Sequence, residues 1–434
     1  MLARLDLRGF DGDLAAALAR PVSDDAGVLD VVRSIIAEVR ARGDGALRDF
    51  TERFDGCRID DLRVPADEIA AALAAATPDL RAALDYAHGE ITAYHEAQLA
   101  PDVVLDRDGV HLRELILPVD RAGAYVPGGR ANYPSTVLMT AVPARIAGVP
   151  EVVLCVPPDA TGSVPPATLA AAAVAGVDEV YRVGGAQAIA AMAFGTESIR
   201  AVDVVVGPGN AYVAAAKREV VGTVGIESLA GPSEIVVVAD ATAAPELVAI
   251  DLLAQAEHGP DGGAVLITWD EALADAVDQA VAALTAEAPR RDEIESNLAV
   301  GGRIVVVDDA QQAMAAVNAI APEHLELMTA DPEALVPFVR NAGAVFCGPW
   351  APAAVGDYVA GVNHVLPTAG TARFASALRV DDFRKHVHVV TLDEAALRRV
   401  APHVQALASV EGLAEHGRSI TLRTDPSALP ESTP

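Results

Sequence analysis

Apolar positions along the chain follow two rhythms. Val28, Leu29, Val31, Val32, Ile35, Ile36 and Val39 recur at helical spacing between an N-cap signal at Ser23 and a stop at Gly43, and residues 80–99 repeat the pattern. The first hundred residues therefore read as helical. From about residue 112, short Val/Ile runs alternate with Ala-rich helical stretches, the texture of parallel sheets whose strands are buried on both faces. Strands are predicted at 151–156, 179–183, 202–206, 234–238, 264–268, 303–307 and 343–347, with a further strand-like run at 386–392 and a helix over 394–411. This succession of βα units predicts the α/β class, with two Rossmann-like doubly wound lobes, a helical N-terminal region and a small C-terminal tail domain. Residues 349–383 are rich in Gly, Pro and Asn and too long for a plain connector, so they read as a functional loop or as disorder. A Pro-rich tail from Asp425 is expected to be poorly ordered.

Charge and composition narrow the classes of partner. Asp and Glu outnumber Lys and Arg by 61 to 32 in 434 residues, a formal charge of -29, which repels a phosphate backbone and argues against nucleic acid. The longest apolar stretches, such as 165–177, fall short of the roughly 20 residues a membrane helix needs. No membrane span is expected. Arg4, Asp6, Arg8 and Asp11 interrupt any secretory apolar run near the start. Cys57, Cys155 and Cys347 lie far apart and suit reduced thiols in a cytoplasmic protein; a Cys-x-x-Cys zinc site is excluded. Any metal here is left to His, carboxylate or amide ligands.

Three Gly-rich turns follow predicted strands, at 126–129 (VPGG), 183–187 (VGGAQ) and 206–210 (VGPGN). Bare backbone N–H groups at strand-to-helix turns accept a phosphate or dinucleotide, although none completes G-x-G-x-x-G and tight turns of an α/β sheet fit as well. Gln255 and His258 stand at i and i+3 in the last turn of a helix predicted over 246–258, on one face, as two ligands of one cation would. The competing reading is a dipole-stabilised surface histidine. Asp357 and His364 in the long loop, with His416 near the C-terminus, complete an N/O set suited to zinc or a similar borderline ion. Glu323-His324 supplies a general base and acid near neutral pH, but adjacent residues on a strand face opposite ways, so both serve one site only if the backbone turns there. The alternative is an exposed pair at the start of a strand-like run over 325–328. His386 and His388 share a strand face that reads as solvated beside Arg384 and Lys385, whereas His88, His95, His111 and His403 read as surface. Trp350 and Tyr358 read either as a pocket wall or as packing.

The runs at 123–129 (GAYVPGG), 182–187 (RVGGAQ), 206–210 (VGPGN), 230–234 (AGPSE), 253–261 (LAQAEHGPD), 321–326 (APEHLE) and 356–368 (GDYVAGVNHVLPT) together resemble the histidinol dehydrogenase family. The resemblance extends in order from about residue 20 to Arg423. It implies oxidation of L-histidinol to L-histidine through the aldehyde, reduction of two NAD+, one zinc per site, and the last step of histidine biosynthesis. Carried over, it makes Gln255, His258, Asp357 and His416 zinc ligands that also contact substrate, and Glu323 and His324 the catalytic pair. Ser233, His364, Glu411 and His324 become substrate contacts, and Tyr125, Gln187 and Asn210 contacts to NAD. The implied division is an N-terminal extension at 1–19, a first α/β lobe of 20–123 plus 232–377, an NAD-binding lobe at 124–231, and a C-terminal segment at 378–434. That last segment is expected to complete the site of a second copy in a homodimer. Two departures from the family pattern, Ala377 and Arg379 within 376–380 and Glu415 before His416, remove no proposed ligand. A related zinc and NAD dehydrogenase acting on another amino or hydroxy alcohol is the alternative function, and a zinc hydrolase using Glu323 as base is the alternative class.

Overall fold

The computed structural model describes residues 2–20, 26–128, 132–228 and 231–428. The N-cap expected at Ser23 lies outside them, as do Gly129, Ala230 and the tail from residue 429. The described residues form a mixed α/β fold with two parallel sheets and many helices. In chain order the strands are β1 (Ala3–Asp6), the antiparallel pair β2 (Val104–Arg107) and β3 (Val110–Pro118), then β4 (Arg121–Tyr125), β5 (Glu151–Val156), β6 (Glu179–Arg182), β7 (Val204–Val206) and β8 (Gly225–Ile226). They continue as β9 (Glu234–Ala239), β10 (Gly263–Thr268), β11 (Gly302–Val306), β12 (His324–Met328), β13 (Ala344–Cys347) and β14 (Arg384–Leu392). The predicted strand at 151–156 matches β5 end to end, and the others fall within one or two residues. Their Val and Ile side chains are buried on alternate faces, which is why each reads as a continuous apolar run.

Two compact units result, Met1–Leu99 with Val119–Phe383 and Ala100–Pro118 with Arg384–Pro434. The larger unit holds both parallel sheets, ordered β6-β5-β4-β7-β8 and β1-β11-β10-β9-β12-β13. Counted from β4 the first runs 3-2-1-4-5, and counted from β9 the second runs the same way with β1 added outside β11, so the strand order reverses between β4 and β7 and again between β9 and β12. The smaller unit pairs β14 with β3 and β3 with β2, and packs the helices Glu394–Val410 and Ala414–Thr424 on each other. Two features depart from the sequence expectation. Residues 1–19 contain β1, paired in parallel with β11, so they are not a free extension. Residues 100–118, placed by the sequence in the first lobe, belong instead with the C-terminal segment, because β3 supplies the partner of β14 along its full length. Within 349–383 the chain is ordered by a short helix, Ala353–Tyr358, and two single turns of 3-10 helix.

One turn beside β4 is set by an ion pair rather than by sequence texture. Gly207, just after β7, has φ 116°, and a Cβ there would come within 2.1 Å of the Tyr125 carbonyl oxygen, so only glycine fits. The Gly207 N–H donates to Glu227 Oε1 (2.7 Å), and Lys217 Nζ donates to the same oxygen (2.7 Å) and to the Gly207 carbonyl (3.1 Å). Both charged side chains are 1% exposed. Removing one partner of a buried pair leaves an uncompensated charge at a cost of about 3–5 kcal/mol, whereas replacing both with apolar groups is often neutral. Lys217→Met alone is therefore expected to melt well below the double variant Lys217→Met/Glu227→Leu in calorimetry; equal melting temperatures would contradict this account.

Candidate active site

Glu323 and His324 are brought to one place by the turn the sequence required. The helix Ala310–Ile320 ends at Ala321, which adopts the left-handed conformation (φ 51°, ψ 65°). A non-glycine residue there is uncommon and costs of order 1 kcal/mol. Glu323 then precedes β12 and His324 opens it. Both are only 5% exposed, which overturns the reading of an exposed pair. His324 Nδ1 lies 3.7 Å from Glu323 Oε2, and His324 Nε2 lies 3.5 Å from Asp357 Oδ1. These separations are ion-pair contacts, long for hydrogen bonds, and both ring nitrogens of His324 are left without a hydrogen-bond partner among the described residues. Glu323 is anchored through Oε2, which accepts the Glu234 N–H at 2.9 Å from the start of β9.

Burial dominates the electrostatics. It raises Glu323 to about 7 against the lowering charge of His324 and the Glu234 N–H. For His324 burial disfavours the charged ring, but the charges of Glu323 and Asp357 outweigh it and raise the group to about 9. Asp357 is held below the usual carboxylate range, since contact with His324 overcomes its own burial. His364 is kept neutral by burial, with Nδ1 donating to the Asp357 carbonyl (2.8 Å) and Nε2 facing Thr136 Oγ1 (3.1 Å). This tautomer follows from the carbonyl, which only accepts.

The remaining expected residues fall into four groups. His258 and Gln255 belong to the end of the helix Pro245–Ala256: His258 is exposed just past it and near enough to Asp357 to help lower that acid, while Gln255 is buried with its amide nitrogen unpartnered. Ser233, half-buried, precedes β9, and its carbonyl accepts the Gly263 N–H. Tyr125, Gln187 and Asn210 gather at the C-terminal ends of β4, β6 and β7. There Tyr125 is buried with its hydroxyl accepting the Gly185 N–H (3.1 Å), and Asn210 caps the helix Ala211–Val220 by accepting from the Tyr212 and Val213 N–H groups. Gln187 is buried with Oε1 unpartnered. Glu411 and His416 lie in the smaller unit, both exposed, at the end of the helix Glu394–Val410 and on the helix Ala414–Thr424. Among the described residues no three His, Cys, Asp or Glu side chains form a ready-made metal cage.

Sequence reasoning misread some positions and missed others. His95 is fully buried, not a surface residue: its Nδ1 donates to the Ile91 carbonyl (2.8 Å) and its other ring nitrogen faces Asn363, whose amide donates to the Met139 carbonyl. Trp350 and Tyr358 are exposed rather than packed. His386 and His388 face Glu114 on a solvated strand, as expected. Thr136 and the carboxyl pair Asp251–Glu326 went unseen. Glu326, two residues beyond His324, accepts the Ala353 N–H (2.6 Å) at the start of the helix that carries Asp357. Asp251 shares the helix of Gln255; burial raises both acids, Glu326 further through the charge of Asp251 while the hydrogen bond between them holds Asp251 lower, so the pair retains a proton near neutrality on the Glu326 side.

Three comparisons bear on the chain. The family profile described as histidinol dehydrogenase matches residues 18–424. The histidinol dehydrogenase of Rhizobium meliloti is 50% identical over 419 residues, covering 95% of this chain and 96% of that protein. That of Gluconobacter oxydans is 50% identical over 430 residues, covering 98% and 100%. The crystal structure of histidinol dehydrogenase from Elizabethkingia anophelis superposes with a TM-score of 0.94 at 35% identity, over 99% of both chains.

The raised carboxyl sets a pH trend. A carboxyl whose folded value lies above its unfolded one stabilises the fold fully below the unfolded value and loses that stabilisation as pH climbs to the folded value, here from 4.5 to about 8 for Glu326. The melting temperature of the native protein should therefore fall between pH 5 and pH 8 by more than that of Glu326→Gln, which keeps the acceptor for Ala353 without the charge. The difference is expected to be on the order of 5 °C by calorimetry, and parallel curves would count against the assignment.

Proposed function

The chain belongs to the histidinol dehydrogenase family, an oxidoreductase family of histidine biosynthesis, and on that premise we propose that it carries out the NAD-dependent, zinc-dependent four-electron oxidation of L-histidinol to L-histidine through L-histidinal. The observation that carries this reading is the buried pair Glu323 and His324 with half-buried Asp357 against the ring of His324. The donors suit zinc in kind: the imidazole of His258, the carboxylate of Asp357 and the amide oxygen of Gln255, all N/O groups. Gln255, His258 and Asp357 would hold the ion, with His416 as fourth ligand. Gln187, with its free buried acceptor, and the reversal of strand order beside Tyr125 suit a dinucleotide there. A zinc held there would supply a fixed cationic anchor for the substrate's nitrogens, and a bound nicotinamide would supply the hydride acceptor for each oxidation.

The chain's own residues move the protons. His324 takes the hydroxyl proton in the first oxidation through a ring nitrogen that no protein group occupies. Of the two carboxylates that raise the ring, Asp357 is the one that would be shared with a metal cation, and sharing its charge would bring His324 back toward a useful base. Glu323, raised to about 7 by burial, is poised to take a proton from the water that adds to the aldehyde. His364, neutral and fixed between Thr136 and the Asp357 carbonyl, holds that loop in place. Ser233 and Glu411 complete the substrate contacts.

The exposure of Glu411 and His416 supports a reading of the assembly. Both are exposed on the smaller unit, and we assign them to the site of a second copy in a homodimer. Exposed Trp350, Phe374 and Val410 supply apolar surface for such contact. No helix among the described residues is long and apolar enough to cross a membrane. The three thiols are free, in keeping with a cytoplasmic enzyme.

Absorbance at the NADH band on mixing the protein with histidinol and NAD+ tests the activity directly: two NADH per histidinol are expected, and none would refute it. His324→Ala is expected to slow both half-reactions by about 100-fold or more, while Glu323→Gln blocks mainly the aldehyde step. Equal losses in the two steps for Glu323→Gln would remove the division of roles. Asp357→Ala should lower zinc content measured by atomic emission, and full occupancy in that variant would take Asp357 out of the ligand set.

A further inference from the structure

Glu323 is aimed by a residue more than 300 positions away. Arg20, half-buried beyond the helix Leu14–Ala17, spreads its guanidinium over two targets. Nε donates to Glu234 Oε2 (2.8 Å) and Nη2 to Glu234 Oε1 (2.6 Å), a two-pronged carboxylate contact. The same Nη2 donates to the Ile320 carbonyl (2.7 Å), at the last residue before the left-handed turn at Ala321. Glu234 in turn lends its backbone N–H to Glu323 Oε2 (2.9 Å). Arg20 thus grips both the strand end that anchors the Glu323 carboxyl and the backbone turn that delivers it.

The charges make this more than a brace. The Glu234 carboxylate faces a buried acid of the same sign, and the only side chain paired with it among the described residues is Arg20. Without that partner, Glu234 repels Glu323 and is free to swing, and the N–H that fixes Glu323 shifts with it. We propose that Arg20 is a positioning residue for the aldehyde-oxidising half-reaction, acting through Glu234 on Glu323; this rests on the role assigned to Glu323 above. A planar fork is required for the two parallel bonds plus the carbonyl contact, so lysine replaces it only in part.

The test compares Arg20→Met, Arg20→Lys, the double variant Arg20→Met/Glu234→Gln, and Glu323→Gln in the two half-reactions, with histidinol and with histidinal as substrate. Arg20→Met is expected to lose between about 10- and 100-fold in kcat for histidinal, the scale of a misplaced reacting group, with KM for histidinol and for NAD+ within about twofold of native. Arg20→Lys should regain part of that rate. The double variant should regain part as well, because removing the Glu234 charge removes the repulsion that Arg20 balances. A crystal structure of Arg20→Met should show Glu323 Oε2 withdrawn from the Glu234 N–H. If Glu323→Gln loses the aldehyde step while Arg20→Met loses both steps equally, gains nothing in the double variant, or leaves Glu323 in place, the positioning role is overturned and that of Glu323 stands. If Glu323→Gln oxidises histidinal at the native rate, the role of Glu323 itself is overturned and this inference with it.

Discussion

An acid and an imidazole, side by side and almost wholly buried, are the constraint to which the rest of this molecule answers. Taking Glu323 and His324 out of water is costly unless each finds charge or hydrogen bonds nearby. The fold supplies these from every direction: the Glu234 N–H from β9, the Asp357 carboxylate from the helix Ala353–Tyr358, and the turn at Ala321 that lets neighbouring residues face one space. Asp357 is fixed in turn by His364, and the helix that carries it begins on Glu326. What remains unmatched, the two ring nitrogens of His324, is the part left for chemistry.

The two parallel sheets place their candidate residues at opposite ends of their strands. In the five-stranded sheet the strand order reverses between β4 and β7, and the Gly-rich turn with Tyr125, Gln187 and Asn210 lies at the C-terminal ends of the strands, where α/β sheets bind nucleotides. In the six-stranded sheet the buried array sits at the opposite end, where β9 and β12 begin. Register explains it: His324 pairs with Ile235 at the start of both strands, which brings Glu323 beside Glu234.

Legibility in the sequence followed the physics of each element. β5 was readable because Val, Leu and Cys buried on both faces make an unbroken apolar run. β4 was not, since Arg121-Ala-Gly-Ala-Tyr125 has no β-branched residue and is a strand only because β5 and β7 flank it. β1 was hidden by Arg4 and Asp6, tolerated on an edge strand. At the site, residue type was readable and environment was not. Glu323-His324 stood out as chemistry, but nothing local marks Ala321 as left-handed, because its conformation is imposed by tertiary contacts. His95 was misread because its carbonyl partner lies one helical turn back and Asn363 lies 268 positions away. Asp251–Glu326 and Arg20–Glu234 are pairings across the sequence, invisible until the sheet brings them together. The family resemblance carried the ligand and substrate residues that spacing alone left open.

The account's central claim is that the Glu323–His324–Asp357 array is where histidinol reacts. Crystals grown with zinc and L-histidine, with anomalous data at the zinc edge, test it most directly. The account predicts one zinc peak bound by Gln255, His258 and Asp357, with the ligand's imidazole on the metal and its carboxylate against Glu323 and His324. Density for the ligand away from His324, or zinc bound elsewhere while these side chains stand empty, would contradict it.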